Sequence, residues 1–140
     1  MDNTFGTIVS YRPDIKVVDA TLRDGGLVNN FGFTTEFVKD LYKTNIAAGV
    51  DYMEFGYRAD KKQFDENKFG KWKFAEDEAI REIVGDNASD LKICVMADVG
   101  RTDYKRDIIN KEDSVIDMIR VATYIHQIPT AIDMISDAKE

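Results

Sequence analysis

The sequence predicts an α/β protein, a partial β/α barrel of about four parallel units. Short apolar segments suited to buried strands alternate with segments whose apolar residues recur at helical spacing. Right-handed crossovers would join the strands into a curved parallel sheet with helices outside. A closed barrel has eight units in roughly 250 residues. The 140 residues of this chain therefore correspond to about half of one.

Composition narrows the classes of function. The chain is 44% hydrophobic and 32% charged, as expected of a globular protein, and its formal charge is −7. An acidic surface argues against nucleic acid and against anionic membranes as partners. No apolar run approaches the length of a membrane span. The single cysteine, Cys94, lies in the apolar run LKICVMA, which predicts a core residue and fits a cytoplasmic location.

The first strand is predicted over residues 15–20, IKVVDA. It leads into Arg23, Asp24 and the pair Gly25-Gly26, two residues that can take positive φ. Opposite charges at the end of a parallel strand lie where α/β proteins bind ligands. A salt-bridged strand end before an ordinary turn is the alternative. The following loop carries Asn29, which we predict to bind substrate.

The second unit begins with a helix. Thr34 is a suitable N-cap, and Gly49 a suitable C-terminal residue. The next strand, VDYMEFGY over residues 50–57, carries Glu54 on the face opposite Met53 and Phe55. A carboxylate on a strand covered on both faces indicates a site, although a solvent-facing residue on a frayed end is the alternative.

Residues 58–86 comprise a candidate substrate-binding residue, an insertion and a helix. Arg58 follows the second strand and is predicted to reach the same mouth. The segment 59–74 has no clean period and five lysines, which suggests a lid or binding loop, or else a solvated run. Residues 75–86 read as a helix with an acidic first turn.

The last two strands are predicted over residues 91–97 and 118–123, with a polar connection over 98–113. Arg120 interrupts an apolar strand, so it needs a partner or a polar interior. Thr123, Tyr124 and His126 lie at the end of that strand. Pro129 suits the first turn of a final helix, with an apolar stripe of Ile128, Ala131, Ile132 and Ile135.

The predicted domain organisation is an N-terminal tail over residues 1–14 and the N-terminal half of a β/α barrel over residues 15–140. The tail is polar and irregular. It would form either a free tail or a plug across the bottom of the barrel. The pattern indicates part of a longer protein. Two open sheet edges favour self-association, so we expect a homo-oligomer and an isolated half without activity.

Two motifs carry a family resemblance. VVDATLRDGG at residues 17–26 resembles the first-strand motif of the DRE-TIM metallolyases, which are related to hydroxymethylglutaryl-CoA lyase. MIRVATY at residues 118–124 is similar to the fourth strand of the 4-hydroxy-2-oxovalerate aldolase branch. The resemblance implies a carbon–carbon lyase that acts on a 2-oxo acid through a pyruvate-type enolate. By family analogy it also implies an aldehyde dehydrogenase as partner.

The resemblance also assigns residues. It makes Asp24 a ligand of Mg²⁺ or Mn²⁺, with the remaining ligands outside this chain, and makes Arg23 the group that stabilises the enolate and binds substrate. From their positions at strand ends, Glu54, Arg120 and His126 are further catalytic candidates. Arg58, Thr123 and Tyr124 are further substrate-binding candidates alongside Asn29.

The chain departs from the family pattern in two places. The family's His-x-His metal pair is absent, because His126 is the single histidine. Leu27 stands where these aldolases carry an acid/base histidine. Either another group moves the proton or the reaction differs. His126 is a candidate by proximity, but a lone histidine beside a helix start is more often structural. The alternatives are a synthase that condenses an acyl-CoA with a 2-oxo acid, and a non-catalytic barrel.

Overall fold

The computed structural model describes residues 13–139, which form one parallel sheet flanked by helices. The sheet has the order β1-β2-β3-β4, with all neighbours parallel. The elements are β1 (Val18–Asp19), α1 (Thr21–Asn29), α2 (Thr35–Ala48), β2 (Tyr52–Tyr57), α3 (Asp77–Val84), β3 (Lys92–Asp98), α4 (Tyr104–Asp107), β4 (Met118–Ala122) and α5 (Ile128–Asp137), with 3₁₀ turns at Lys71–Lys73 and Ile125–Gln127. The predicted partial α/β barrel is confirmed. Residues 1–12 of the predicted tail lie outside the described residues.

The first strand is shorter and more exposed than predicted. Only Val18 and Asp19 pair with β2, whereas Ile15 and Val17 are more than half exposed. Among the described residues β1 lies at an edge of the sheet, so its outer side has no neighbouring strand to cover it. The prediction of a buried strand over residues 15–20 is therefore wrong in extent.

The segment after β1 is a helix rather than a turn. Gly25 and Gly26 lie within α1 and do not take positive φ, so that prediction is wrong. The left-handed residues are Asn30 and Phe31, which follow the helix. A Cβ on Gly26 would lie 2.2 Å from the ring of Phe31. The glycine is needed because that ring packs directly on the helix backbone.

Helix α2 begins and ends as predicted. The Thr34 hydroxyl accepts a hydrogen bond from the Phe37 amide at 3.2 Å. Gly49 closes the helix at φ +70°, and its amide donates to the carbonyls of Asn45 and Ile46. Both ends therefore have partners for backbone groups that a helix leaves unpaired.

The insertion between β2 and α3 is packed rather than open. Trp72, Phe74 and Ala75 are buried, and the Trp72 ring lies 5.7 Å from that of Phe55. Gly56, at φ +152°, admits the Trp72 carbonyl, which would lie 1.9 Å from a Cβ at that position. The segment is thus part of the core, not a detached lid.

Helix α5 packs on the sheet through a different face from the one predicted. Pro129 lies in its first turn, as expected. Ala131 and Met134 are buried, but three isoleucines of the predicted stripe are exposed: Ile128, Ile132 and Ile135. The prediction was wrong because residues of similar hydropathy occur on both sides of this helix.

The two faces of the sheet have different neighbours. Met53 and Phe55 of β2 and Ile93 and Val95 of β3 belong to the main hydrophobic core. Residues between them in sequence point to the other face, because side chains alternate along a strand. No helix within residues 13–139 has both the length and the apolar character to cross a membrane.

Candidate active site

A buried carboxylate joins two arginines from separate elements. Glu54 on β2 is fully buried and accepts a hydrogen bond from Arg23 Nε at 2.9 Å. Arg120 Nη1 donates to both oxygens of the same carboxylate, at 3.0 and 2.9 Å. We call these three residues the Arg23–Glu54–Arg120 cluster. It satisfies the requirement that a buried charge be paired and hydrogen-bonded.

Sheet register explains why the cluster forms. Glu54 pairs with Cys94 on β3, and Met96, two residues later, pairs with Arg120 on β4. These residues share the face opposite the main core, because paired residues of parallel strands point the same way. Arg23 reaches the same face from α1, which follows β1 directly. The two strand residues and Arg23 are thus brought together by the parallel order of the sheet.

The electrostatics of the cluster favour a permanently charged Arg23. Burial lowers the pKa of Arg23, but the hydrogen bond and charge of Glu54, the Tyr57 hydroxyl and the charge of Asp24 outweigh it and raise the pKa. Burial, together with the Glu54 charge, raises the pKa of the neighbouring Cys94 thiol to about 12. Cys94 is therefore a neutral thiol in the core, as predicted, rather than a nucleophile.

Asp24 lies beside the cluster but does not complete a metal site. Its carboxylate is 68% exposed and accepts a hydrogen bond from Arg23 Nη1 at 2.7 Å. Within residues 13–139, no three His, Cys, Asp or Glu side chains converge to hold a metal ion. One carboxylate binds a divalent cation weakly. The described residues thus hold no complete metal site.

Further charged residues lie near the cluster that sequence reasoning did not single out. Asp98 ends β3 on the same face as Cys94 and Met96, and burial raises its pKa, which the charges of Arg101, Lys73 and Arg23 oppose. Lys73 is buried beside Tyr57. The sequence signal for Asp98 was its place at the end of an apolar strand. Lys73 was visible only as one of the five lysines of the insertion, because the rings around it come from distant segments.

Arg58 does not join this site. Its guanidinium donates to the carbonyl oxygens of Asp107 and Ala75 and to the carboxylate of Asp77, and it is buried. The register of β2 against β3 shifts between Glu54 and Tyr57. A shift of this kind re-aims the residues that follow it. Arg58 therefore secures the start of α3 and the segment before β4, not a substrate at the mouth.

The other predicted residues are exposed around the ends of the elements. Asn29 ends α1, and its carbonyl accepts from the Gly32 amide. Thr123 and Tyr124 follow β4, where Thr123 lines a cavity of about 220 Å³ with Asp98. The rings of Tyr124 and His126 stack at 5.8 Å. These contacts place no side chain of Asn29, Tyr124 or His126 in contact with the Arg23–Glu54–Arg120 cluster.

Comparisons with known proteins agree with the fold and with the resemblance in the two motifs. No family model matches the chain. It is 25% identical over 131 residues to 4-hydroxy-2-oxovalerate aldolase 6 of Rhodococcus jostii, covering 92% of this chain and 36% of that protein. It superimposes on the N-terminal domain of a putative aldolase from Bacteroides vulgatus with a TM-score of 0.70 and 28% identity. The chain is a distant relative of an aldolase.

The likeness covers only part of each relative. The chain spans about a third of the length of the curated aldolase and 41% of the solved chain, while 89% of its own length is superimposed. The likeness shows a partial α/β fold shared with the N-terminal domain of a putative aldolase.

Proposed function

We propose that this chain forms part of the active site of an aldolase that cleaves a carbon–carbon bond next to a 2-oxo acid. The observation that carries the proposal is the position of Arg23, held at the open face of the sheet by the buried Glu54. A fixed cation at that position suits a reaction in which negative charge develops on a carbonyl oxygen. Distant homology to an aldolase supports the same class of reaction.

The chemistry assigned to Arg23 is stabilisation of an enolate oxygen. Cleavage of this type produces the enolate of pyruvate, an anion that is costly without nearby positive charge. The hydrogen bonds to Glu54 and Asp24 use two of the five N–H donors of a guanidinium, and the Tyr57 hydroxyl takes a third, so two donors remain for a ligand. Glu54 holds the guanidinium in place before substrate arrives, which avoids a cost of reorganisation during reaction.

Metal dependence is a further part of the proposal. Asp24 would contribute one carboxylate to a Mg²⁺ or Mn²⁺ site whose other ligands lie outside the described residues. Such an ion, when bound, polarises the carbonyl of a 2-oxo acid. Asp24 suits this role because its carboxylate is exposed and lies beside Arg23.

One observation favours a second candidate, a barrel that has kept the fold without the chemistry. Leu27, in the position of the expected acid/base histidine, is exposed on α1 and cannot transfer a proton. Titration of Mn²⁺ into the intact protein separates the two candidates, because a non-catalytic barrel need not bind the ion. A condensing synthase would instead consume an acyl-CoA in the presence of a 2-oxo acid.

The experiment that tests the proposal is exchange of the pyruvate methyl protons with deuterated solvent, followed by NMR in the intact protein with Mg²⁺. We expect exchange in the wild type and its loss in Asp24→Asn. Asp86→Asn is the matched control, since Asp86 is an exposed aspartate that also pairs with an arginine, Arg81, away from the cluster. Absence of exchange in the wild type would remove the aldolase proposal.

A further inference from the structure

Lys73 is a buried cation held in a box of aromatic rings. Its side chain belongs to the 3₁₀ turn before α3, and the residue is 7% exposed. The ammonium lies 4.4 Å from the ring centres of Tyr57 and Phe64, 5.1 Å from that of Phe31 and 5.8 Å from that of Phe69. Rings at these distances stabilise a cation but accept none of its three hydrogen bonds as a carboxylate would.

The Lys73 ammonium has no ionic partner within the part of the chain that the structure describes. It makes no hydrogen bond or ion pair with residues 13–139, unlike Lys61 and Lys71 of the same insertion, which pair with glutamates. No fully enclosed side-chain nitrogen or oxygen in these residues lacks a hydrogen-bond partner. The ammonium nitrogen is therefore not fully enclosed and keeps some contact with solvent.

One ring contact and one shared electrostatic neighbour place Lys73 near the candidate active site. Tyr57 packs its ring against the Lys73 ammonium, and its hydroxyl raises the pKa of Arg23. The charges of Arg101, Lys73 and Arg23 all lower the pKa of Asp98, against the larger effect of burial. Lys73, Arg101 and Arg23 thus all lie within range of the charge of Asp98, and Lys73 and Arg101 lie within range of each other's charge.

The charges around Asp98 leave a surplus of positive charge. Arg101, like Lys73, forms no ion pair with any described residue, and its charge lowers the pKa of Lys73 in addition to the larger effect of burial. Asp98 opposes this effect but hydrogen-bonds to neither cation through its side chain. Two cations near one carboxylate give a net charge of about +1 in a protein of net charge −7. A second anion would relieve the repulsion between them.

We propose that Lys73, assisted by Arg101, binds a second carboxylate of the substrate, so that the site takes a 2-oxo dicarboxylic acid. This proposal rests on the proposed function, in which Arg23 binds the 2-oxo end of the same molecule. A carboxylate supplies the acceptors that the Lys73 ammonium lacks, in surroundings where few water molecules compete. Lys73 then sets substrate specificity.

The test compares two acids of equal carbon number, 2-oxoglutarate and 2-oxopentanoate, which differ in the second carboxylate. Binding to the intact protein with Mg²⁺ is measured by calorimetry. We expect 2-oxoglutarate to bind about tenfold or more tightly, because one charge-assisted hydrogen bond in a desolvated site has that effect. Lys73→Met should abolish the preference and Lys73→Arg should retain part of it. Lys68→Met, an exposed lysine of the same insertion, is the control and should keep the preference.

A second readout does not depend on a variant. Burial lowers the pKa of Lys73, and a bound carboxylate should raise it, so NMR titration of the lysine signals should show one pKa that rises with 2-oxoglutarate and not with 2-oxopentanoate. Equal affinity for the two acids, or a preference that survives in Lys73→Met, would overturn this inference alone. Failure of both acids to bind would instead count against the proposed function.

Discussion

The Arg23–Glu54–Arg120 cluster predicts a specific energetic coupling. Arg120→Met removes two charge-assisted hydrogen bonds from a fully buried carboxylate, which then keeps Arg23 alone as an arginine partner. Arg120 is 41% exposed, and this exposure reduces the value of the bonds, so we expect a loss of about 2 kcal/mol in the free energy of unfolding. In a Glu54→Gln background the same change should cost about 0.5 kcal/mol or less, because no buried charge is left unpaired.

The coupling energy from this double-mutant cycle should therefore be about 1.5 kcal/mol. Urea unfolding followed by the fluorescence of Trp72, the chain's single and fully buried tryptophan, measures it. Arg81→Met is the matched control, because the Arg81 side chain is also 41% exposed but both its partners, the Asp86 carboxylate and the Asp113 carbonyl, accept exposed hydrogen bonds. It should cost about 0.5 kcal/mol or less. Equal costs for Arg120→Met and Arg81→Met would refute the role given to burial of Glu54.

Three further predictions concern packing and titration. Gly56→Ala should cost about 3 kcal/mol or more, since its Cβ would meet the Trp72 carbonyl, whereas Gly49→Ala, in open space at φ +70°, should cost about 1 kcal/mol in the same urea assay. Cys94, with a pKa of about 12, should be alkylated by iodoacetamide at pH 8 about 100-fold or more slowly than in urea, as followed by mass spectrometry. Asp98→Asn should raise the melting temperature at pH 7, because burial raises the carboxyl pKa and ionisation then opposes folding; the gain should vanish below the ordinary aspartate value of 3.8.

The order of elements and the two strand residues of the central cluster, Glu54 and Arg120, could be predicted from local rules. Alternation of strand and helix patterns gives the parallel sheet, and a capping threonine gives the start of α2. Glu54 and Arg120 stood out because a charge inside an apolar strand needs a partner. Whether Glu54 and Arg120 meet depends on the register between the strands, which the sequence of a single strand does not specify.

The remaining features depend on contacts between distant segments. Gly26 and Gly56 were visible as glycines, but the Phe31 ring and the Trp72 carbonyl that require them come from elsewhere in the chain. Arg58 follows a strand end, as a mouth residue would, yet the irregular pairing of β2 turns it toward Asp77. The aromatic box around Lys73 combines rings from four positions in three segments, so no local pattern predicts it.

The most direct test of the enolate role is chemical rescue at Arg23. Arg23→Ala should slow the exchange of pyruvate methyl protons by about 100-fold or more, the usual effect of losing one group that stabilises an oxyanion. Guanidinium chloride at millimolar concentration should restore part of that rate by filling the vacated space beside Glu54, while Arg81→Ala should exchange as the wild type does. Exchange at the wild-type rate in Arg23→Ala would contradict the account.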